Sequence, residues 1–388
     1  MFDATYTAAL EKLHEFVPHA GRDYAAKRNY DDTAGVSTLS PYIRHRIITE
    51  ADVLHATLGR HSASAAEKFV QEVYWRTYWK GWLEMRPSIW TNYKVDLNAA
   101  LNRVQTESGL RQEWESACNG ETGIDCFDHW ANQLTDTGYL HNHARMWFAS
   151  IWIFTLRLPW VLGADFFLRH LLDGDPASNT LSWRWVGGLQ TKGKTYLARP
   201  DNIAKYTQGR FRPTALAGHA AALEGMPHPD CGPVPQSGTI DGKRIGLLIT
   251  EEDLSPGWLL HQCQPVATAF VQTTDHRSPL KVSPRVTDFV KAAMGDCATR
   301  IGDRLGSVKH LGADDLAPWT SENDIDQIVT SYMPIGPTAD ALSDASPTQI
   351  IRVHDSAAWP HATHGFFKFK EKIPKLLGRL TGQDNQAA

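Results

Sequence analysis

The chain has 388 residues, 42% hydrophobic and 21% charged, with a formal net charge of −4, which predicts two domains and argues against a uniformly basic nucleic-acid binder. Its five cysteines contain no CxxC pair, which excludes a disulfide framework and a zinc or iron–sulfur cluster, so no metal is expected. No apolar run approaches the roughly 18 residues of a membrane span, and the opening "MFDATYTAALEKLHEF" lacks a signal peptide's order, so a cytoplasmic, non-membrane, monomeric protein is expected.

Residues 1 to about 215 read as helical. Early in that stretch, "GVSTLSPYI" (Gly35–Ile43) sets Ser37, Thr38 and Ser40 at a helix start, either a seat for phosphate oxygens or an ordinary cap. Ala65–Trp82 follows, with apolar residues at three- and four-residue spacing. Glu72, Trp75, Arg76 and Trp79 share one face of it, as a functional stripe or as a satisfied ion pair on an amphipathic helix. Leu140–Leu158 is a second long helix stopped by Pro159, with Asn142, Arg145 and Met146 on one face, for function or for packing. His141 and His143 point apart on it and read as core or surface histidines rather than ligands.

"LLDGDPASNTLSWRW" (Leu171–Trp185) then brings acids, an amide and indoles together. Asp173 and Asp175 can hold an arginine or accept from ring N–H groups, and Asn179 can donate or accept. Trp183 and Trp185 read as core. Eleven of the 14 tryptophans lie before residue 186.

The Pro- and Gly-rich stretch Gly225–Gly238 is the strongest linker signal. Beyond it "RIGLLIT" (Arg244–Thr250), "VATAFVQ" (Val266–Gln272), "DQIVTSY" (Asp326–Tyr332) and "QIIRVH" (Gln349–His354) read as strands of a parallel sheet with crossover helices. The division is a helical domain at 1–224, a linker at 225–239 and an α/β domain at 240–388.

Taken in order, Tyr24, "STLSPYI", "EVYWRTYW", "TGYLHNHARM" and "LLDGDPASNTLSWRW" resemble the helical flavin-binding domain of the DNA photolyase and cryptochrome family over about residues 20–215. The resemblance implies FAD as cofactor. Tyr24, Ser37, Thr38, Leu39 and Ser40 would hold its diphosphate, and Arg76 belongs to the same cofactor-binding set. Arg145 would pair with Asp173 beside the ring, Asp175 would meet the ring's polar edge, and Asn179 would lie near its N5. Glu72, Trp75, Asn142 and Met146, with Asn179, would serve a flipped pyrimidine dimer in single- or double-stranded UV-damaged DNA. Trp183 and Trp160 would carry electrons to the flavin, with Trp90 or Tyr93 as the outer member.

The activity so implied is light-driven repair of cyclobutane dimers by one electron from excited reduced FAD. The alternatives are a cryptochrome-type blue-light receptor and repair of (6-4) photoproducts. The C-terminal part departs from the family's domain order. "RIGLLITEEDLSPGWLL", "AFVQTTDHRSPLKVSPRVTDFVKAAMGDC" and "THGFFKFKEKIPKLL" are similar to the α/β domain that precedes the helical one in relatives, which implies circular permutation into a Rossmann-like C-terminal domain. Such a domain either holds an antenna chromophore of unknown identity or is purely structural. The basic stretch Val186–Phe211, with Lys192, Lys194, Arg199, Lys205 and Arg210, reads as a phosphate-following segment or a solvated loop.

Overall fold

The computed structural model describes residues 2–383. From Tyr6–Phe16 through Pro200–Tyr206 every regular element is helical. The Glu67–Glu84 helix is buried on most of its circumference, with Phe69, Val73, Tyr74, Tyr78 and Trp82 all inside. That makes it the central post of the helical half rather than a surface helix. Trp130, Trp147, Trp152 and Trp183 are fully buried elsewhere in the helical half and account for much of the tryptophan excess. Three of these indoles donate, to Asp31, Asn202 and the carbonyl of Pro159, each at 3.0 Å. The buried Nε1 of Trp183 has no partner among the described residues.

The helix expected over Leu140–Leu158 is shorter. It runs α-helical from Asn142 to Ser150 and then as a π-helical turn, Ile151–Thr155. Arg157 takes a left-handed φ of 56°, and Leu158, restricted by the ring of Pro159, cannot continue the helix.

Five parallel strands form the C-terminal sheet: β1 (Ile245–Thr250), β2 (Pro265–Val271), β3 (Ser307–Leu311), β4 (Gln327–Ser331) and β5 (Thr348–Ile350). Their order is β3-β2-β1-β4-β5, so the winding reverses between β1 and β4. β1 is buried along its whole length, as a central parallel strand must be. The structure corrects the expected strands in two places. β3 is an addition, because "SVKHL" is an exposed edge strand without an apolar run. The last expected strand, Gln349–His354, pairs at Gln349 and Ile350 and no further, because Arg352 turns away to grip Asp253 at 2.5 and 2.7 Å and Val353–Ala358 is a helix.

The Gly225–Gly238 stretch carries no helix or strand and runs along the protein, pinned where the Gly232 N–H donates to Met85 and the Gly238 N–H to Gln349. One hydrophobic cluster crosses both halves, and a smaller one covers the far face of the sheet around Trp319. No helix among the described residues is long and apolar enough to cross a membrane.

The carboxyl end of β1 drives into the helical half. Glu251, Glu252 and Asp253 are all buried. Glu251 pairs with Arg277, Glu252 with Arg44, and Asp253 with Arg352. Buried carboxylates persist only when so paired.

Candidate functional site

Three helices converge on the turn that carries Asp173 and Asp175. The Pro176–Val186 helix packs against both the Glu67–Glu84 helix and the Asn142–Ser150 helix. Its start is locally encoded: Asp175 caps it by accepting from the Ser178 N–H at 2.7 Å, and Pro176 occupies the first turn. Asp175 also meets Arg76 at 3.4 Å, Lys80 at 3.7 Å and Arg44 at 4.0 Å. Burial alone would raise its pKa, but these three cations hold its carboxyl well below the usual carboxylate range. Lys80 is lowered by its own burial, against the pull of Asp175.

Asp173 accepts from Arg145 Nη2 at 2.8 Å through Oδ2, and Arg145 is fixed by donating from Nε to the Leu140 carbonyl at 2.9 Å. The other oxygen, Oδ1, is buried without a partner among the described residues. A buried acceptor left unmade costs about 1–3 kcal/mol, which suits a ligand donor. Arg76 Nε is likewise buried with no hydrogen bond among the described residues, with Glu50 Oε1 at 3.7 Å. Asn179 is buried, and its amide nitrogen donates to the Ala164 carbonyl at 2.8 Å, which fixes the direction of its oxygen.

Glu72 does not pair with Arg76 on its own helix. It accepts from Arg28 Nη1, while Arg76 turns to Asp175 and Glu50. Tyr24, edge-on to Phe16 and Phe69, joins the same cluster, and its hydroxyl is raised by burial first and by Glu72 second. Thr38 is buried with a left-handed φ of 50°, a conformation that costs a β-branched residue of order 1–3 kcal/mol and that recurs at ligand clamps. Ser37 accepts from the Leu39 N–H, Leu39 is buried, and Ser40 opens the Ser40–Arg44 helix.

Above this buried wall the side chains reach solvent. Asn142 is exposed, and Glu72, Trp75, Arg145 and Met146 are half-buried. Trp75 lies flat against Phe366, with centroids 3.6 Å apart and planes at 11°. Trp185 is half-buried rather than core, stacked on Tyr196 of the basic stretch at 5.6 Å. The physical reason is that residues two apart on a helix face nearly opposite ways, so Trp183 and Trp185 cannot share one core. Trp160 contacts Tyr93 at 5.8 Å and Tyr93 stacks on Trp90 at 5.1 Å, while Trp90 Nε1 donates to Asp340 at 2.8 Å. The ring neighbours of Trp183 are Phe148, Trp152 and Phe167.

Sequence reasoning missed Arg28, Arg44, Lys80 and Phe366. One signal was available: the basic run Arg44–Arg46 after "SPYI" and the acidic run Glu251–Asp253 after the first strand are complementary.

Buried polar atoms without partners among the described residues, at Asp173 Oδ1 and Arg76 Nε, are what a cofactor-binding helical domain would present, and known proteins resemble this one there. Residues 69–210 match the family model of the FAD binding domain of DNA photolyase. The deoxyribodipyrimidine photo-lyase of Vibrio cholerae is 27% identical over 204 residues, which is 50% of this chain and 41% of that protein. That of Agrobacterium fabrum is 34% identical over 185 residues, 47% of this chain and 38% of that protein. The crystal structure of a bacterial class III photolyase from Agrobacterium tumefaciens aligns with a TM-score of 0.45 at 30% identity, covering 53% of this chain and 43% of that one. The chain thus spans roughly two-fifths of the length of the curated relatives it matches. Its helical half is thus similar to the FAD binding domain of DNA photolyase, a domain whose cofactor is FAD. Tyr24 and Ser37–Ser40 lie before the matched span.

Proposed function

We propose that this protein repairs cyclobutane pyrimidine dimers in DNA by light-driven electron donation from FAD. The observation that carries the reading is the layering of the site. Asp173, Asp175 and Asn179 are buried, whereas Glu72, Trp75 and Met146 are half-buried and Asn142 is exposed, as a wall beneath an accessible mouth would require.

The residues present fit the cofactor. The unpartnered Asp173 Oδ1 would accept from a ring N–H, Arg145 would hold that carboxylate, and Asp175, Arg76 and Asn179 would frame the ring. Tyr24, Ser37, Thr38, Leu39 and Ser40 would take the diphosphate. Bound FAD, reduced and excited by blue light, supplies one electron that is returned once the two cyclobutane carbon–carbon bonds have broken.

The chain does the rest. Trp75, backed on one face by Phe366, would stack on the extruded dimer and recover about 1–3 kcal/mol per base of the cost of flipping it. Glu72, held by Arg28 on one oxygen, would stabilise the dimer's radical anion where its other oxygen meets a base carbonyl. Asn142 would donate to the same base edge, and Met146 would fill the apolar side of the mouth. Trp183, whose N–H has no partner among the described residues, would begin the electron path, with Trp160, Tyr93 and Trp90 leading outward.

We assign residues 1–224 to the flavin domain, 225–239 to a linker and 240–388 to a relocated α/β domain in a monomer. The Tyr6 N–H donates to Asp296 on the Pro284–Ile301 helix, so the first helix already abuts the sheet half, a neighbourhood that makes permutation tolerable.

The test incubates the reduced protein with single- and double-stranded oligonucleotides carrying a thymine dimer, illuminates with blue light and counts restored thymines. Restoration is expected. A flavin-loaded protein that restores neither substrate overturns repair in favour of the receptor reading, and restoration of a (6-4) photoproduct instead reassigns the lesion.

A further inference from the structure

The sheet half returns a segment of chain to the edge of the mouth, and that segment is built like a nucleic-acid contact. Phe366 seals it against Trp75, the Tyr78 hydroxyl donates to the His364 carbonyl at 2.8 Å, and Phe369 is buried between Tyr74 and Tyr78. Ile373, Leu376 and Leu377 of the following helix are buried as well. The segment is therefore fixed in place by its apolar side.

Its outward side is unusual in two ways. Phe367, next to the sealed Phe366, is 81% exposed, the most exposed large apolar side chain among the described residues. Around it the stretch Gly365–Arg379 carries five cations against the single acid Glu371. Lys370 is tied to Glu67 at 2.9 Å, whereas Lys368, Lys372, Lys375 and Arg379 reach solvent. Lys372, Lys375 and Arg379 cluster closely enough to lower the pKa of His361 together, after its burial. A lone phenylalanine held in water among cations, beside an indole able to stack on a base, has the chemistry of a wedge inserted between base steps and flanked by phosphate contacts. The cations do not make a lipid-binding helix, because the apolar face such a helix would insert is already buried in the protein.

We propose that Gly365–Arg379 is a second DNA contact, in which Phe367 inserts beside the lesion while Lys368, Lys372, Lys375 and Arg379 hold the phosphates of the flanking duplex. This rests on the reading of the Trp75 mouth as the dimer pocket.

The experiment measures dark binding of flavin-loaded protein to dimer-containing and undamaged duplexes across a salt series. Three forms are compared: wild type, the quadruple variant K368A/K372A/K375A/R379A, and Phe367→Ala. The quadruple variant should lower the slope of log affinity on log salt by about 0.9 for each phosphate it no longer neutralises, equally on both duplexes. Phe367→Ala should weaken duplex binding roughly tenfold, as expected for removal of a stacked or wedged ring, and leave single-stranded binding near wild type. It should also abolish the fluorescence rise of a 2-aminopurine placed beside the dimer. All these side chains are exposed, so flavin content serves as the folding control. Wild-type slope and wild-type fluorescence in both variants overturn the proposal. Trp75→Ala serves as the separate control for the pocket: if it alone loses preference for the dimer, the pocket stands and the second contact falls. If it too keeps that preference, the pocket reading falls with it.

Discussion

Arg44 grips Glu252 with both terminal nitrogens, each 2.7 Å from a carboxylate oxygen, and donates from Nε to the Gly174 carbonyl at 2.9 Å. One guanidinium therefore joins the end of β1 to the turn between Asp173 and Asp175. The planar, always-charged fork suits that double task in a way lysine would not.

Removing one partner strands the other. Glu252→Ala should destabilise the fold by about 3–5 kcal/mol, and an Arg44→Met, Glu252→Leu double variant should recover most of it. Chemical denaturation measures both, and a Glu252→Ala protein of wild-type stability would contradict the buried pair. Burial opposes ionisation of Glu252, but Arg44 and Lys80 hold its carboxyl down to about 2. With the folded value depressed, its stabilisation is complete above the ordinary carboxylate range and is lost progressively as pH falls from that range through about 2.

Glu84 should show the opposite pH dependence. Burial raises its carboxyl to about 7, although the Tyr332 hydroxyl donates to it at 2.6 Å and the Ile335 N–H at 2.7 Å. Between the ordinary glutamate range and pH 7 the folded state keeps a proton that the unfolded chain has released. Stability should therefore decline as pH rises through that window, by roughly 3 kcal/mol in all. Glu84→Gln should flatten the decline, since its amide can accept from Ile335 and donate to the tyrosine oxygen. Identical melting-temperature profiles for the two proteins from pH 5 to about 8 would sink the assignment.

Asp173→Ala should cost the protein its yellow colour. It removes the acceptor that Arg145 holds in place and the unpartnered oxygen that would face the ring. The loss of one charge-assisted hydrogen bond, about 1.5–3 kcal/mol, corresponds to a 10- to 100-fold weaker hold on FAD. Titration of the apoprotein with FAD, followed by flavin fluorescence, reads this directly, and unchanged affinity would remove Asp173 from the wall.

Gly163→Ala tests the packing under Trp183. A Cβ there would overlap the indole of Trp183 and crowd Trp152. Overpacking of this kind costs about 1–3 kcal/mol and should shift the tryptophan emission as Trp183 is displaced. A variant with the wild-type melting temperature would mean the two helices can slide apart.

The features legible in the sequence are those that local pattern carries. The Glu67–Glu84 helix, β1, β2 and β4 follow from unbroken apolar periodicity, and the Asp175–Pro176–Ser178 cap from neighbours three residues apart. What stayed hidden depends on chain separation. Arg28 is 44 residues from Glu72 and Arg44 is 208 from Glu252, so nothing local selects either pair over the Glu72–Arg76 spacing. β3 hid because an edge strand needs no apolar run, and the Trp75–Phe366 stack because it spans the whole length between the two halves.

In open α/β sheets small molecules settle outside the carboxyl ends of the strands, where the winding reverses. In this protein the end of β1 at that reversal is occupied by its own side chains: the Arg44 fork on Glu252, with the Thr338 hydroxyl donating to the same carboxylate at 3.2 Å. At that point the sheet serves as a keel for the helical half instead of a receptacle. An action spectrum for repair should trace FAD absorption band for band, and any further peak would have to come from a pigment seated away from the sheet's reversal.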